Sequence, residues 1–549
     1  MKMTLQEALQ APKILSIDLE TPDLNWWKER ALLMGIYAPG FEGYINLFEY
    51  DDATLSSFFE EFVKGRSFIL HNAKFDFHYL QKWVDVYPVE FSDTMILAYM
   101  YKENVSHKLK DLSKEYFGEE ACVNKTLVDD FLKKTTKGKG RKNFDFSTVP
   151  NEMLGNRAIE DAKNTFNLFG ILRPKVYNTE IYLTEKTLVK VLIRMETNGI
   201  MVDKNYLKTL DEDLLYQIGI FEKKYSDINL NSTKQLSEWL FNTLGLTPSE
   251  YTGKGSPSTK TAALLLLDSP QARDLLEYRK IGKLQGAFTS NLLQRITSNG
   301  RIHADFRQTG TETGRLSCSN PNLQQMPSKS PIIRRAFLGK KDLWSFDYSQ
   351  MEAVLYAVYN KEKDLLKAIK YGEDVYTAMA AKIFKKYAEA VTKDERNRTK
   401  TIFLGLMYGM GKEKFERTTG TSWVTVNGYF NKRPLQKLLN KQVEEHGYVE
   451  TMFGRQRHLL PEEAYKAINS IIQGSASDMI KMSMAKLPLE IQNKMRLTVH
   501  DELVFEDLEK EEVKTISDTM TSFDLPIKVG IGTGKTWWDC KENEYSLES

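Results

Sequence analysis

The sequence is poor in cysteine and has no long apolar run. Its 549 residues include three cysteines, Cys122, Cys318 and Cys540, which lie far apart and form no CxxC pair. This pattern excludes a disulfide framework and a cysteine-based structural zinc site, and it favours a reducing compartment. No stretch approaches the roughly 18 apolar residues of a membrane span, and the first residues contain no apolar signal core. We therefore expect a cytoplasmic protein without a membrane partner.

The sequence also lacks an excess of either charge. It carries 76 Lys and Arg against 74 Asp and Glu, a formal net charge of +2. The net charge therefore gives no sign of a nucleic-acid partner, and any basic surface that binds nucleic acid must be local. The 549 residues are too many for one core, so roughly two to four domains are expected. A content of 41% hydrophobic and 27% charged residues indicates that they are globular.

Residues 497–506, LTVHDELVFE, carry apolar side chains at every second position on both sides of His500 and Asp501. This period of two predicts two half-buried strands joined by a tight turn. The turn brings the adjacent carboxylates of Asp501 and Glu502 together, and their mutual repulsion favours a cation beside them. A second apolar strand ends in Asp347 and is expected to meet this turn. A solvated turn that contains acids is the alternative for the hairpin alone.

A second group of carboxylates lies in the first third of the chain. Residues 13–20 predict a strand on which Asp18 and Glu20 point to one face, although surface alternation also produces such pairs. Asp76 lies at the start of a predicted helix and Asp161 in a later one. Four carboxylates on three separate elements are able to converge on two divalent cations. One cation would activate a water, and the other would stabilise the leaving oxygen of a phosphodiester.

These motifs resemble those of family A DNA polymerases, from about residue 15 to about residue 538. DLET at 18–21, NAKFD at 72–76, SDTMILAY at 92–99 and IEDAKNT at 159–165 resemble the family's 3′-5′ exonuclease domain. DYSQME at 347–352 and VHDE at 499–502 resemble motifs A and C of its polymerase palm. The resemblance implies two sets of metal-binding catalytic carboxylates, with Glu502 as a further catalytic residue of the second: Asp18, Glu20, Asp76 and Asp161, and Asp347 and Asp501.

The segment 396–409, RNRTKTIFLGLMYG, resembles the family's fingers helix. Residues four apart in this segment lie along one helical face, so the cations of Arg396 and Lys400 are neighbours. Their repulsion is offset if an anion such as a triphosphate lies across them. A solvated basic face is the alternative for the two cations alone. Glu352 would close off the sugar 2′ position. The resemblance implies these dNTP-binding residues: Arg396, Lys400, Leu404, Tyr408 and Glu352.

Three further parts of the sequence suit contacts with DNA. TGRLS at 313–317 and NPNLQ at 320–324 place an Arg in a Gly-containing turn near Asn and Gln, which suits minor-groove acceptors. NSIIQGSASD at 469–478 resembles the family's segment along the primer-template. Hydroxyl residues at the starts of the expected thumb helices suit contacts with DNA phosphates, and ordinary N-capping is the alternative for them. The implied DNA-binding residues are Arg315, Gln324, Asn469, Gln473, His500, Thr233 and Ser258.

The chain departs from the family pattern at several positions. Arg157 stands where the family usually has a Tyr that orients the attacking water, which leaves the activity of the exonuclease open. Leu404 replaces a Phe or Tyr that stacks on the incoming sugar, so nucleotide selection is also open. Cys318 stands where Ser is usual, Tyr376 where His is usual and Tyr465 where Arg is usual.

We therefore expect a mixed α/β and α+β multidomain protein. An RNase H-like exonuclease domain (1–175) would precede a right-hand polymerase domain (176–549), with the thumb at about 185–300, the palm at about 301–360 and 484–549, and the fingers at about 361–483. The expected activity is template-directed DNA synthesis with proofreading, using two Mg²⁺ per site or Mn²⁺ instead. Partners would be primer-template DNA, dNTPs and a single-stranded 3′ end, bound by a monomer; no processivity factor is identified. The alternatives are an RNase D-like nuclease whose C-terminal half clamps DNA, and a catalytically silent DNA-binding protein.

Four short segments of the sequence give further expectations. Residues 302–307 predict a single strand. The basic segment 133–142 predicts a solvated loop, with contact to single-stranded DNA as the alternative. GIGTGKT at 530–536 is one residue short of a P-loop and is expected to form a strand. The short segment before Asp18 leaves no room for a 5′-nuclease domain, which suggests a phage or stand-alone enzyme.

Overall fold

The computed structural model describes residues 1–23, 25–136, 145–176, 179–328, 330–407, 410–424, 426 and 434–547. Its N-terminal part is built on a mixed five-stranded sheet in the order β3-β2-β1-β4-β5. The strands are β1 (Ile14–Glu20), β2 (Leu33–Ala38), β3 (Phe41–Asn46), β4 (Ser67–Leu70) and β5 (Glu90–Asp93). The central strand β1 runs antiparallel to β2 and parallel to β4. The α/β fold expected for this part is confirmed.

Helices cover the N-terminal sheet. They are α1 (Leu5–Ala8), α2 (Asp52–Phe62), α3 (Ala73–Leu80), α4 (Thr94–Tyr101), α5 (Leu109–Phe117), α6 (Val123–Thr135) and α7 (Asn151–Leu172). Local sequence sets several of their starts, because the side chains of Asp51 and Asp93 accept backbone N–H groups at the first turns of α2 and α4. Of the basic segment 133–142, residues 133–135 are the end of α6 and do not form the expected loop, and Lys133 pairs with Asp130 at the surface. Residues 137–142 lie outside the described residues.

A long helix, α8 (Thr179–Asn198), connects the N-terminal sheet to the rest of the chain. It ends before Gly199, whose φ of +58° is the left-handed conformation that stops a helix, as the Asn-Gly pair predicts. A helical region follows, consisting of α9 (Lys204–Lys224), α10 (Thr233–Ser237), α11 (Thr261–Leu265), α12 (Pro270–Lys283) and α13 (Asn291–Leu293).

The C-terminal part contains an antiparallel sheet around one long strand, β10 (Phe337–Tyr348). The strand β10 pairs with β14 and β15 along its second half and with β6 at its start. The members of this sheet are β6 (Ile200–Val202), β7 (Arg301–Ile302), β10, β13 (Met495–Val499), β14 (Glu502–Glu506) and β15 (Val529–Thr536). The predicted hairpin is β13–β14, and GIGTGKT lies within β15, so both predictions are confirmed.

The predicted single strand at 302–307 is wrong. The chain forms two short strands there, β7 and β8 (Asp305–Arg307), which belong to different sheets. β7 pairs with β6, whereas β8 pairs with β9 (Ser317–Ser319). Alternation of apolar side chains continues through both strands, so the pattern carries no sign of the change of partner.

The remaining elements surround this sheet. They are α14 (Pro331–Arg334), α15 (Met351–Tyr359), α16 (Lys363–Lys370), α17 (Val375–Phe384), α18 (Lys393–Met407), α19 (Lys412–Thr419), α20 (Pro434–His446), β11 (Tyr448–Glu450), β12 (Gln456–His458), α21 (Ala467–Lys486), α22 (Leu489–Gln492), α23 (Lys510–Met520) and α24 (Asp539–Glu542). Among the residues that the structure describes, no helix is both long and apolar enough to cross a bilayer.

Buried ion pairs fasten the two parts of the chain together. Lys74, on α3, lies 2.5 Å from Glu196 of α8 and 2.7 Å from Asp305 of β8. His78, one turn further along α3, lies 2.6 Å from the second oxygen of Glu196. Because Asp76 lies between these two residues, the helix that carries this predicted metal ligand is fixed against the C-terminal part.

Candidate active sites

The first candidate site lies where β1 meets α7. Alternation along β1 puts Asp18 and Glu20 on one face, and α7 brings Asp161 to the same place. Carboxylate oxygens of these three residues lie within 4.8 Å of one another. The structure therefore brings together three of the four predicted ligands from residues more than a hundred positions apart.

A glycine allows α7 to approach the sheet closely enough for this. Gly35 of β2 is the cross-strand partner of Asp18. A Cβ atom at position 35 would lie 2.3 Å from the carbonyl group of Ala158 on α7, closer than any real contact. Ser16 adds a hydrogen bond from its hydroxyl to the carbonyl oxygen of Ala162, at 2.6 Å. Asp161 lies between these two contact points, so it is held over β1.

The fourth predicted ligand, Asp76, approaches from α3. The preceding Asn72 adopts a left-handed φ of 69°, and its backbone N–H donates to Asp93, which fixes the turn into the helix. The backbone N–H of Leu19 lies beside the Asp76 carboxylate and acts to lower its pKa. Burial outweighs this effect and raises the pKa of Asp76 well above its usual range. Asp76 therefore lies next to Leu19 of β1, but its carboxylate is not among the three whose oxygens lie within 4.8 Å of one another.

The cluster has the electrostatic character of a cation site. Burial and then the negative charges of Asp161, Glu20 and Asp76 raise the pKa of Asp18 well above its usual range. Burial likewise raises the pKa of Glu20 to about 7. Within the described residues, the buried Oε1 of Glu20 has no hydrogen-bond donor of proper geometry. Buried carboxylates that repel one another suit a divalent cation.

Two basic side chains also enter this cluster. Arg157 Nε lies 3.0 Å from Glu20 Oε1 and 3.7 Å from Asp161 Oδ2. Lys125 Nζ lies 2.9 Å from the same Asp161 oxygen. Burial disfavours both cations, but the surrounding carboxylates outweigh it and raise the pKa of each. Arg157 is thus in direct contact with two of the predicted metal ligands.

The second candidate site lies at the end of β10 beside the β13–β14 turn. Asp347 is the cross-strand neighbour of Glu502, and the backbone N–H of Tyr348 donates to the carbonyl oxygen of Asp501 at 3.2 Å. His500, at the turn, adopts a left-handed φ of 59° and is exposed. The two aspartates that the sequence predicts to meet are therefore neighbours at one edge of the sheet.

Asp347 is exposed on one side, while protein atoms surround the rest of its carboxylate and much of Asp501. This desolvation, followed by the charges of Asp501 and Glu502, raises the pKa of Asp347 to about 8. Desolvation also raises the pKa of Asp501 to about 6. Two carboxylates that resist ionisation together fit a site completed by divalent cations. Asp347 and Asp501 are the residues that would hold them.

Glu502 is held by donors on the protein. Its Oε1 accepts hydrogen bonds from the Ser345 hydroxyl and the Trp537 indole N–H, both at 2.7 Å. Its Oε2 lies 3.5 Å from Arg334, whose guanidinium stacks 3.8 Å from the Trp537 ring centre. These contacts leave Glu502 in a supporting position, where it fixes the hairpin tip and adds negative charge beside Asp347.

The predicted nucleotide-binding helix is α18. Arg396 uses Nε and Nη2 to donate to both carboxylate oxygens of Asp374, at 2.9 and 2.7 Å. Arg396 and Lys400 both face the ring of Tyr376, at 5.7 and 5.6 Å from its centre. Leu404 is partly buried against the main core, and Tyr408 lies outside the described residues.

A cleft beside the second site contains several predicted DNA- and nucleotide-binding residues. Arg315 and Glu352 form an ion pair there, 2.5 Å apart. Gln324 donates to the carbonyl oxygen of Thr498 on the hairpin, at 3.4 Å. The cleft is lined by these residues together with His500, Asp501 and Lys481 of α21. Predicted groups from four separate segments therefore share one wall with a predicted metal ligand.

The other predicted DNA-binding residues are more dispersed. On α21, Gln473 is 6% exposed, and the buried Oδ1 of Asn469 has no hydrogen-bond partner among the described residues. In the helical region, Thr233 is exposed, while the preceding Ser232 caps α10. Ser258 is only 3% exposed, and its hydroxyl accepts from the backbone N–H of Lys260. The local hydrogen bond therefore accounts for Ser258, and a phosphate contact there would need rearrangement.

The sequence did not reveal several residues that build these sites. Lys125, Arg334 and Asp374 pair with predicted residues that are distant in sequence. A signal existed only for Asp478 and Lys481, which are charged positions on an otherwise apolar face of α21. Both are fully buried, and a charge at such a position signals a buried partner.

Comparisons with known proteins agree with this geometry. The family model described as DNA polymerase family A matches residues 204–539, and one described as 3′-5′ exonuclease matches residues 2–177. DNA polymerase I of Borreliella burgdorferi is 32% identical over 97% of this chain and 63% of its own length. The thermostable DNA polymerase I of Thermus aquaticus is 33% identical over 71% of this chain and 52% of its own length.

A solved structure extends the likeness to the whole chain. The POL domain of Pol1 from M. smegmatis, in complex with DNA primer-template and dNTP, has a TM-score of 0.81 and 26% identity, covering 98% of both chains. The fold and the two carboxylate clusters are typical of a polymerase joined to an exonuclease domain. The chain belongs to DNA polymerase family A. It spans 63% of the Borreliella relative and about half of the Thermus one.

Proposed function

We propose that this protein copies a DNA template by adding dNTPs to a primer 3′-hydroxyl, and that it removes nucleotides from the 3′ end at a second site. One observation carries the proposal. Tyr376 lies between the cations of α18 and the palm carboxylates, because Arg396 and Lys400 face its ring while the charges of Glu352 and Asp501 act on its phenol. Groups suited to a triphosphate and groups suited to metals therefore lie around one aromatic ring.

At the end of β10, Asp347 and Asp501 would supply the anionic oxygens of the polymerase site. Mg²⁺ bound there would lower the pKa of the primer 3′-hydroxyl and neutralise the departing pyrophosphate. Arg396 and Lys400 would bind the triphosphate, and the pair with Asp374 uses only Nε and Nη2 of Arg396. Glu352, held by Arg315, would stand where a 2′-hydroxyl would otherwise fit.

The division of the chain follows from this assignment. We assign residues 1–175 to the exonuclease domain and 176–549 to the polymerase domain. The helices between about 185 and 300 would form the thumb, the sheet at about 301–360 and 484–549 the palm, and the helices at about 361–483 the fingers. Primer-template DNA would lie along Arg315, Gln324, Asn469 and Gln473, with His500 facing the primer terminus.

A gel assay with a 5′-labelled primer-template and Mg²⁺ tests the proposal. With dNTPs the primer is expected to lengthen, and without them it is expected to shorten. Shortening with no extension would reject the polymerase and favour the nuclease whose C-terminal half clamps DNA. Extension with no shortening would show that the exonuclease is silent, and Arg157→Tyr would then be the first variant to test for recovery.

The raised pKa values of the palm aspartates predict a pH-dependent affinity for cations. The pKa of about 8 for Asp347 and of about 6 for Asp501 mean that protons compete with a cation below these values. Affinity for Mn²⁺ is therefore expected to rise between about pH 6 and about pH 9. Mn²⁺ titration by electron paramagnetic resonance measures it, in a variant whose first site is disabled by Asp18→Asn and Asp161→Asn.

A matched pair of variants controls this measurement. Asp347→Asn removes the group with the higher pKa and is expected to weaken the pH dependence. Asp342→Asn makes the same change on the same strand, where Asp342 pairs with Lys535 at the surface, and is expected to leave it intact. An affinity that does not change with pH would contradict the argument.

A further inference from the structure

The space between Glu20 and Asp161 contains a positively charged nitrogen. Arg157 Nε lies 3.0 Å from Glu20 Oε1 and 3.7 Å from Asp161 Oδ2, and Lys125 Nζ lies 2.9 Å from that same Oδ2. Two cations from different helices therefore converge on one carboxylate oxygen of the cluster.

Packing fixes both cations in place. Arg157 lies one turn before Asp161 on α7, is 14% exposed, and stacks its guanidinium 5.0 Å from the ring centre of Phe146. Lys125 lies in the first turn of α6, which is fastened to α7 by Glu160. The carboxylate of Glu160 accepts from the backbone N–H groups of Asn124 and Lys125, at 3.0 and 3.1 Å. These contacts hold α6 against α7 and the guanidinium against Phe146, and they do not involve the metal ligands.

A divalent cation bridging Glu20 Oε1 and Asp161 Oδ2 would compete for the position of Arg157 Nε. Such an ion binds oxygen at about 2.1 Å, so it would need the volume between the two oxygens that the guanidinium nitrogen fills. The charges also favour a single divalent cation. Four ionised carboxylates and two fixed cations leave a net charge of −2, which one divalent cation balances.

We propose that Arg157 and Lys125 take the place of one of the two divalent cations, so that the exonuclease site of this protein binds a single one. This inference rests on the proposed exonuclease function. Asp18 and the second oxygens of Glu20 and Asp161 would remain for the bound ion, and Asp76 adds negative charge near Asp18. The two fixed cations supply the positive charge that a second ion would otherwise bring to the phosphate.

Counting bound Mn²⁺ tests this inference. Electron paramagnetic resonance would count the ions in a variant whose polymerase site is disabled by Asp347→Asn and Asp501→Asn, with saturating thymidine 5′-monophosphate as the product-like ligand. We expect one ion per protein. Adding Arg157→Gln and Lys125→Gln is expected to raise the count to two, since this removes both the steric block and the positive charge.

The control is Lys110→Gln, which removes a lysine that pairs with Asp129 on α6, outside the cluster. It is expected to leave one ion. Two ions in the parent would overturn the inference without any further variant, and so would a count that stays at one after both substitutions. Shortening of a labelled single strand, measured in parallel with the polymerase site disabled, separates the two claims. One ion without shortening would reject the proposed nuclease only, whereas two ions with shortening would reject the single-cation site only.

Discussion

Replacing Asp501 by Asn is expected to lower the rate of primer extension about 10³-fold or more and to leave single-strand shortening unchanged. Asn keeps the shape of the side chain but removes an anionic oxygen from the palm site. A metal-assisted phosphoryl transfer gains several kcal/mol from its cations, and about 1.4 kcal/mol corresponds to tenfold in rate. Single-turnover extension of a labelled primer measures the effect.

Asp342→Asn is the matched control for this experiment. It lies on β10 like Asp347, but its side chain is 44% exposed and pairs with Lys535. Its rate of extension is expected to stay within about twofold of the parent, since it only alters a surface ion pair. Extension by Asp501→Asn within about tenfold of the parent would reject the proposed mechanism. The reciprocal variant, Asp76→Asn, is expected to lose shortening and keep extension, and loss of extension there would reject the division into two sites.

Local patterns in the sequence were sufficient for the elements that carry the carboxylates. Alternation alone predicts the β13–β14 hairpin and places Asp18 and Glu20 on one face of β1, because the period of a strand is a local property. The end of α8 at Gly199 is likewise set by two adjacent residues. The apolar strand that ends in Asp347 also predicts that this residue meets the hairpin, and the resemblance to a family adds the role of the pair in binding metal.

The positions of the cations in the first site were not predictable in this way. Lys125 reaches Asp161 only because Glu160 fastens α6 to α7, and Gly35 lets α7 lie close to the sheet. Each of these contacts joins separate elements of the chain, and no periodic pattern in the sequence predicts them. The prediction of one strand at 302–307 failed for the same reason, since the choice of partner strand depends on the whole sheet. Sequence thus revealed that Arg157 departs from the family, and the fold revealed what Arg157 touches.

Loss of the Glu185 carboxylate, on α8, is expected to lower the stability of the fold strongly. It is fully buried and lies 2.7 Å from Lys481 and 2.5 Å from Arg455, and Arg455 also pairs with Asp478 at 2.6 Å. Glu185→Gln would leave two buried cations with a single carboxylate. Breaking a buried pair in this way costs about 3–5 kcal/mol. Hydrogen exchange of amides in α8 and α21 is expected to be about 100-fold faster or more.

The pKa of Glu185 fixes the pH range of this effect. Burial acts to raise it, but Lys481 and Arg455 outweigh burial and lower the pKa to about 2, from 4.5 in the unfolded chain. A lowered folded-state pKa stabilises the fold above the unfolded value and loses that stabilisation as the pH falls. The difference in the free energy of unfolding between the parent and Glu185→Gln is therefore expected to be constant near neutral pH. It is expected to shrink from about pH 4.5 toward about pH 2.

Two variants decide whether the buried charges themselves are responsible. Glu180→Gln makes the same change at an exposed position of α8 and is expected to leave hydrogen exchange unchanged. Adding Lys481→Met to Glu185→Gln is expected to recover much of the lost protection, because it removes one of the two cations left without enough carboxylate. Equal loss in the single and double variants would assign the effect to packing of α8 against α21 instead. Recovery would mean that this ion network joins the helix leaving the exonuclease domain to the helix that carries Asn469 and Gln473.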